Sequence, residues 1–562
     1  MEEKTVVGKQ TWKIRLRGAL GTALEKFCSA RLAAVDFDRL LDPYRNRTGP
    51  CCGKEVLLWG QCLSCAIQAL PHLEEPGTLD KKIRRSVAEL MKLQQPDGAI
   101  TAFPGHQQLQ GLDIPGRRYV LKALLLAAAM PGADEKIKEC CIRMCDQIMT
   151  LIGPGKRSIL HCGVLGGLDS SALMDVITCV YRLTGERRFL EFARYIFSCG
   201  CSQQHDIFYA LSKGIAPALL ANGSAVGLTD CFKGAALLGT FDGEQTPRIR
   251  ELCQLYMERI AAEELFITGS GGGINTAGDR WCRGAFHQTG NDCCGGAMGS
   301  TGVTAGCIEF FHVMSSFAED PLMPLALAER SFYNALLGAW DPVTGEWEPN
   351  DCVMGENSLR YRSSGKGICY DRLRGGEALV LAPSLAFVPT EEGAVLNLYE
   401  EMEAHLPRKT HIQITGGYPG SCRAHISIRS RDPFKISLRI PEYCTGVYYC
   451  DCLLDWKKNS YLTINRPWEP DEVLTLEFDP RVRAVTAPDG SPLQAFIRGP
   501  LVLAVDKRGA QVPHATAGTV HNKLSWVDFA SAGKPFDCGS YFNVWFRKLL
   551  PKHFYSSSDY DR

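Results

Sequence analysis

The sequence predicts a multidomain chain of α and β structure, in which a ring of helical hairpins is followed by antiparallel β-sandwich modules. Apolar residues recur at helical spacing from about residue 12 to 340, and after Gly375 the period falls to two. At 562 residues, 45% hydrophobic and 22% charged, the chain is long enough for two to four domains around substantial cores.

In the helical part, LDKKIRRSVAELMKL places Leu79, Ile83, Val87, Leu90 and Leu93 on one face. Several segments share one plan: an apolar helix, a Gly or Pro break, then a second amphipathic helix. They begin near Val56, Tyr119, Asp175, Leu228 and Ala305. VITCVYRLTGERRFLEFARYIF is the clearest, with Thr184 and Gly185 at the break. Spacings of roughly 50 to 80 residues are too irregular for a solenoid code and suit hairpins stacked around a ring, which an α/α toroid closes. Beyond Gly375, the runs EALVLAPSLAFVP, THIQITGGYP, RAHISIRS, FKISLRIP, SYLTINRPW and EVLTLEFDP alternate between Pro, Gly and Asp turns, as strands of a sandwich do. The limits expected are 12–340 for the toroid, 341–506 for the β region and 507–562 for a partly irregular extension.

Charge narrows the partners. Lys+Arg and Asp+Glu both number 62, so no field of one sign draws nucleic acid, an anionic membrane or a polyanion. The longest apolar run in a helix pattern, Ala123 to Met130, is far too short to span a bilayer. The opening MEEKTVVGKQTWKIRL lacks the apolar core of a secretory signal. Cysteines number 25, an odd count in a long chain. Many of them, such as Cys140, Cys141 and Cys179, sit inside apolar helix patterns, as small core hydrophobes of a cytoplasmic protein do. Cys62 and Cys65 form a CxxC, but no second pair at zinc-ribbon spacing accompanies it.

The longest polar loop, Ser270 to Gly302, carries Asp279, Trp281, His287, Asn291 and Asp292. Carboxylates and amides beside an aromatic ring suit a sugar, whose hydroxyls need paired polar partners and whose apolar face stacks on a ring. A loop of that length is otherwise uncommon in a compact domain.

Several segments resemble glycoside hydrolase family 127, the β-L-arabinofuranosidase group. They are RLRGALGTALEKFCSARLAAVDFDRLL, QQPDGAI, VYRLTGERRFLEFA, AERSFYNALLGAWDPVTGEW, ISLRIPEY and FIRGPLVLAVD, in the family's order over roughly residues 14 to 506. The resemblance implies an (α/α)6 toroid followed by β-sandwich modules. It also implies a zinc held by one glutamate and three cysteines, one of them the nucleophile, with a separate glutamate as acid/base. A thiolate bound to zinc is deprotonated at neutral pH. Counting back from Tyr333 puts the family's Glu-x-Cys on Thr301 and Val303, and counting back from Pro383 puts its Cys-Cys on Tyr370 and Asp371, with Cys369 one residue away.

Two chemistries remain open for this rewritten site. In one, no metal is present, Asp279 donates a proton, and Asp371 or Cys369 serves as base or nucleophile. In the other, zinc is held by a relocated set drawn from Cys293, Cys294, Cys307, Cys352 and Cys369, although the spacing matches no established zinc pattern. Asp113 falls where the family holds sugar hydroxyls, with Leu112 in place of a histidine. Ser170 and Pro217 replace two further histidines, while His161, His205 and His287 remain as loop candidates for substrate contact. The expectation is a cytoplasmic glycosidase-like protein acting on the non-reducing end of a small oligosaccharide or glycoside, with a homodimer allowed. The rival is a carbohydrate-binding or scaffolding relative without catalysis. Denatured without reductant, the protein is expected to titrate close to all 25 thiols; several structural disulfides would overturn the reducing-compartment assignment.

Overall fold

The protein is described by a computed structural model covering residues 13–272, 279–289, 298–352, 358–360, 369–469, 472–508, 519–521, 524–536, 539 and 541–547. Twelve helices build a closed double ring. In chain order they are α1 (Ala19–Ala30), α2 (Glu55–Ala69), α3 (Gly77–Lys92), α4 (Asp113–Ala128), α5 (Lys136–Leu151) and α6 (Met174–Thr184). They continue with α7 (Arg187–Ser198), α8 (Ala225–Asp242), α9 (Thr246–Glu263), α10 (Thr301–Phe317), α11 (Leu322–Arg330) and α12 (Tyr370–Leu379). The inner ring runs α2, α4, α6, α8, α10, α12 and back to α2, each helix packed on the next. The others lie outside it, so the toroid is of the (α/α)6 kind.

Local sequence explains the two rings. Outer helices are amphipathic: α3 buries Leu79, Ile83, Val87 and Leu90 and exposes its charged face. Inner helices are buried nearly all round, as α2 is from Val56 to Ile67. Gly60 lets α2 and α4 approach, because a Cβ there would lie 2.3 Å from the Tyr119 carbonyl oxygen. The α6–α7 hairpin turns at Gly185, in the left-handed region at φ 73°.

The toroid does not end near residue 340. Its sixth inner helix is α12, taken from EALVLAPSLAFVP and the residues before it, where the alternation suggested a strand. A helix with no solvated face loses its 3.6-residue signature, and a short apolar run cannot then be told from a strand. Only Phe387–Pro389 of that run is extended. At the other end, Lys13–Leu16 pairs antiparallel with Met402–Leu406, so the first strand belongs to the β region.

Two main sheets follow. The first is built around Arg423–Ile440, whose early half pairs with Thr410–Thr415 and Val473–Phe478 and whose later half pairs with Ser460–Trp468. All its ladders are antiparallel except Gly393–Leu396 beside Lys435–Leu438. The second sheet contains Arg483–Thr486, Leu493–Arg498 and Leu501–Asp506, joined by strands of the C-terminal extension. Among the described residues no helix is long and apolar enough to cross a membrane. Among the described residues, buried cysteines such as Cys62, Cys140, Cys141 and Cys307 are free thiols.

Buried polar anchors fix the modules to one another. Asn334 accepts from the Val502 amide at 2.7 Å and donates to the Pro500 carbonyl at 2.9 Å. Glu400 accepts from the Leu20 amide at 2.7 Å, opening α1, and from the Tyr333 hydroxyl at 2.8 Å. Burial pushes the Glu400 carboxyl up to about 7 against an ordinary 4.5. Folding therefore takes up a proton between these values, and stability falls as pH rises from 4.5 to about 7, by up to ~1.4 kcal/mol per pH unit. Glu400→Gln, which cannot ionise, is expected to flatten that slope in chemical denaturation at pH 5, 6 and 7; an unchanged slope would contradict it.

Candidate functional site

The toroid axis is filled by charge. Alternating partners run Asp175, Arg118, Asp230, Lys233, Glu309, Arg374, Glu377 and Lys122. The successive separations are 2.6, 2.8, 2.9, 2.5, 3.1, 2.6 and 2.9 Å. Gln61 of α2 donates to Glu377 at 3.0 Å, so all six inner helices contribute to one network. Four cations meet four carboxylates. Burial alone would raise the Glu309 and Asp230 carboxyls, but the surrounding Lys and Arg side chains outweigh it and hold both well below the usual range. Four carboxylates paired with four cations in this way form a floor to the ring.

Above this floor lie the N-terminal ends of inner helices. Lys54, which precedes α2, reaches Asp371 in the first turn of α12 at 2.8 Å and sits 5.0 Å from the centre of the Tyr370 ring. Tyr370 in turn shares a hydrogen bond of 3.1 Å with Tyr119. Ser300 caps α10 by accepting from the Val303 amide, and its hydroxyl donates to Asp279. The Asp279 carbonyl accepts from Ala225 at the start of α8 at 2.7 Å. Thus Asp279 and Asp371, 92 positions apart in the chain, are brought to the same end of the ring, with Lys54 paired to Asp371.

Other expected residues fall elsewhere. Trp281 is 3% exposed and donates its indole N–H to Tyr256 at 2.9 Å, so it is part of the wall and offers no face to a sugar. Asp113 is 1% exposed, bonded to Thr101, the Leu109 amide and Arg117, and holds the preceding loop onto α4. Its capacity to accept is used internally. His205 accepts from the Ala221 amide at 3.1 Å and braces a turn. His161 is exposed at the end of a short 3-10 turn, Ile159–His161, and His287 is half-buried after another, Gly284–Phe286.

The metal question divides in the same way. Thr301 donates to the Glu348 carbonyl at 2.6 Å and Val303 is a buried alkyl group, so neither position fits a zinc ligand. Cys307 lies inside α10, where burial pushes its thiol up to about 12 and keeps it protonated at neutral pH. Cys369 is half-buried at the N-cap of α12. Asn350–Cys352 pairs with Met298–Ser300, which places Cys352 on the strand next to the Gly-rich stretch. Asn291, Cys293 and Cys294 lie outside the described residues. Among the described residues, no group of three or more His, Cys, Asp or Glu is placed to hold a metal.

With this geometry in place, comparison by structure is informative. The fold is that of glycoside hydrolase family 127. A GH127 β-arabinofuranosidase superposes with a TM-score of 0.74 at 15% identity, covering 95% of this chain and 96% of that one. A GH127 β-L-arabinofuranosidase from Geobacillus stearothermophilus T6 gives 0.70 at 14% identity, covering 95% and 100%. A further solved glycoside hydrolase gives 0.71 at 15%. No sequence-family model and no curated protein matches the chain. The likeness spans both the toroid and the sheets, while the sequence has diverged nearly everywhere.

Sequence reading missed Lys54 and the floor. Ser300 had a detectable signal, a small hydroxyl residue just before a long apolar helix; Lys54 had none. Removing one member of the floor leaves its partners buried and unpaired. Lys233→Met is expected to cost about 3–5 kcal/mol in denaturant unfolding; a loss below about 1 kcal/mol would mean the network is solvated.

Proposed function

We propose that the protein is a glycoside hydrolase acting on the non-reducing end of a small, uncharged oligosaccharide or glycoside by carboxylate chemistry. What supports this reading is that Asp279 is bonded to the N-cap of α10 and Asp371 lies in the first turn of the neighbouring α12, paired with Lys54, at the same end of the inner ring. Asp279, whose partner is the neutral Ser300 hydroxyl, is assigned as proton donor. Asp371, paired with Lys54, is assigned as base or nucleophile. Support for an uncharged substrate comes from the even balance of the floor, four cations against four carboxylates. Support for carboxylate chemistry comes from Thr301 and Val303, which cannot bind zinc as the family's glutamate and cysteine do.

Turnover of a panel of aryl glycosides tests the proposal. Asp279→Asn is expected to lower kcat by roughly 10²–10⁴ with sugar affinity retained, and chelators are expected to leave activity unchanged. Sugar binding without turnover on any member of the panel would favour a non-catalytic relative. Activity lost on chelation and restored by zinc would favour a relocated thiolate site instead.

A further inference from the structure

Two inner helices start, at the end of the ring that carries Asp279, in the way local physics prefers. Ser300 opens α10 by accepting from the Val303 amide, and Ser224 opens α8 by accepting from the Gly227 amide. The start of α2 is different. Its N-cap residue is Lys54, whose side chain makes no capping bond and brings a cation to a helix end where free amides and the macrodipole favour oxygen acceptors and negative charge.

A contact across the ring overrides that preference. The Lys54 ammonium donates to both oxygens of Asp371, at 2.8 and 3.1 Å, and lies 5.0 Å from the centre of the Tyr370 ring. Both partners open α12, so one side chain ties the start of α2 to the start of α12. Burial works against its charge, but the hydrogen bond and the charge of Asp371 outweigh it and hold the ammonium above its usual value. As an attraction alone the pair is worth little, because the two side chains are 55% and 45% exposed. What it supplies is direction. A donor shared by both oxygens restricts the rotation of the carboxylate, and the ring restricts the ammonium from a second side. A residue that breaks the local rule of its helix and returns little stability is of the kind found at functional sites.

We propose that Lys54 is a positioning residue, which fixes the orientation of the Asp371 carboxylate for its part as base or nucleophile. The assignment rests on the carboxylate reading of the site. Lys54 acts through Asp371 and takes no proton of its own.

The test uses the full chain and whichever aryl glycoside of the panel is turned over fastest. Lys54→Ser removes the ammonium and installs a preferred capping hydroxyl. It is expected to lower kcat roughly 10- to 100-fold with KM within about twofold, while Tm stays unchanged or rises, so that activity and stability part company. Lys54→Arg, whose guanidinium also bonds both carboxylate oxygens, is expected to keep about half or more of the kcat. A kcat within about twofold of the unaltered chain in Lys54→Ser, a Tm that falls together with kcat, or Ser and Arg variants impaired alike would overturn this assignment while leaving Asp371 in its role. No turnover on any member of the panel would overturn the carboxylate reading and this assignment with it.

Discussion

The alternating charges at the toroid axis are the constraint on which the rest of the structure depends. Hydrophobic burial closes a ring of helices, but it does not say which helix faces which or at what height. A chain of seven ion pairs joining residues of five inner helices, with Gln61 supplying the sixth, does. Desolvating eight charges consumes most of what their attraction returns, so the network adds little net stability. A ring closed in another register leaves charges buried without partners, and each such charge costs several kcal/mol. The network thus penalises every alternative more than it rewards the native arrangement.

Its position also sets what lies above it. Because the pairs form within the first three turns of the inner helices, the first turns of α2, α10 and α12 are held at one level. Lys54, Ser300 and Asp371 inherit that placement. Asp279 is then set by three separate ties: Ser300 on its carboxylate, Ala225 on its carbonyl, and Glu264 holding the residues just after it through the amides of Cys282, Arg283 and Gly284. A loop residue positioned by a rigid frame in this way is where catalytic groups are commonly carried.

The sheets are joined to this frame by polar side chains and not by apolar contact alone. Glu329, Asn334 and Glu400 each satisfy several donors or acceptors from a module other than their own. Such contacts have strict directions, so each module's orientation is specified along with its adhesion.

Period and composition by themselves determined the fold class and its order, because amphipathic outer helices such as α3 and alternating strands such as Arg423–Ile440 each have a solvated side that writes their period into the chain. The resemblance to the β-L-arabinofuranosidase group, and not period or composition, pointed to catalytic roles for Asp279 and Asp371 and to Thr301 and Val303 where that family has zinc ligands. The period misplaced the end of the toroid, since α12 has no solvated side and its pattern is silent about helix or strand. Loop composition offered Trp281 and the resemblance offered Asp113 as sugar contacts, when burial gives the first to Tyr256 and the second to Arg117. Only the tertiary structure decided which charges pair and that Lys54 stands beside Asp371, 317 residues away. Pairing across such distances depends on the heights and facings of whole helices, and no local stretch of sequence contains them.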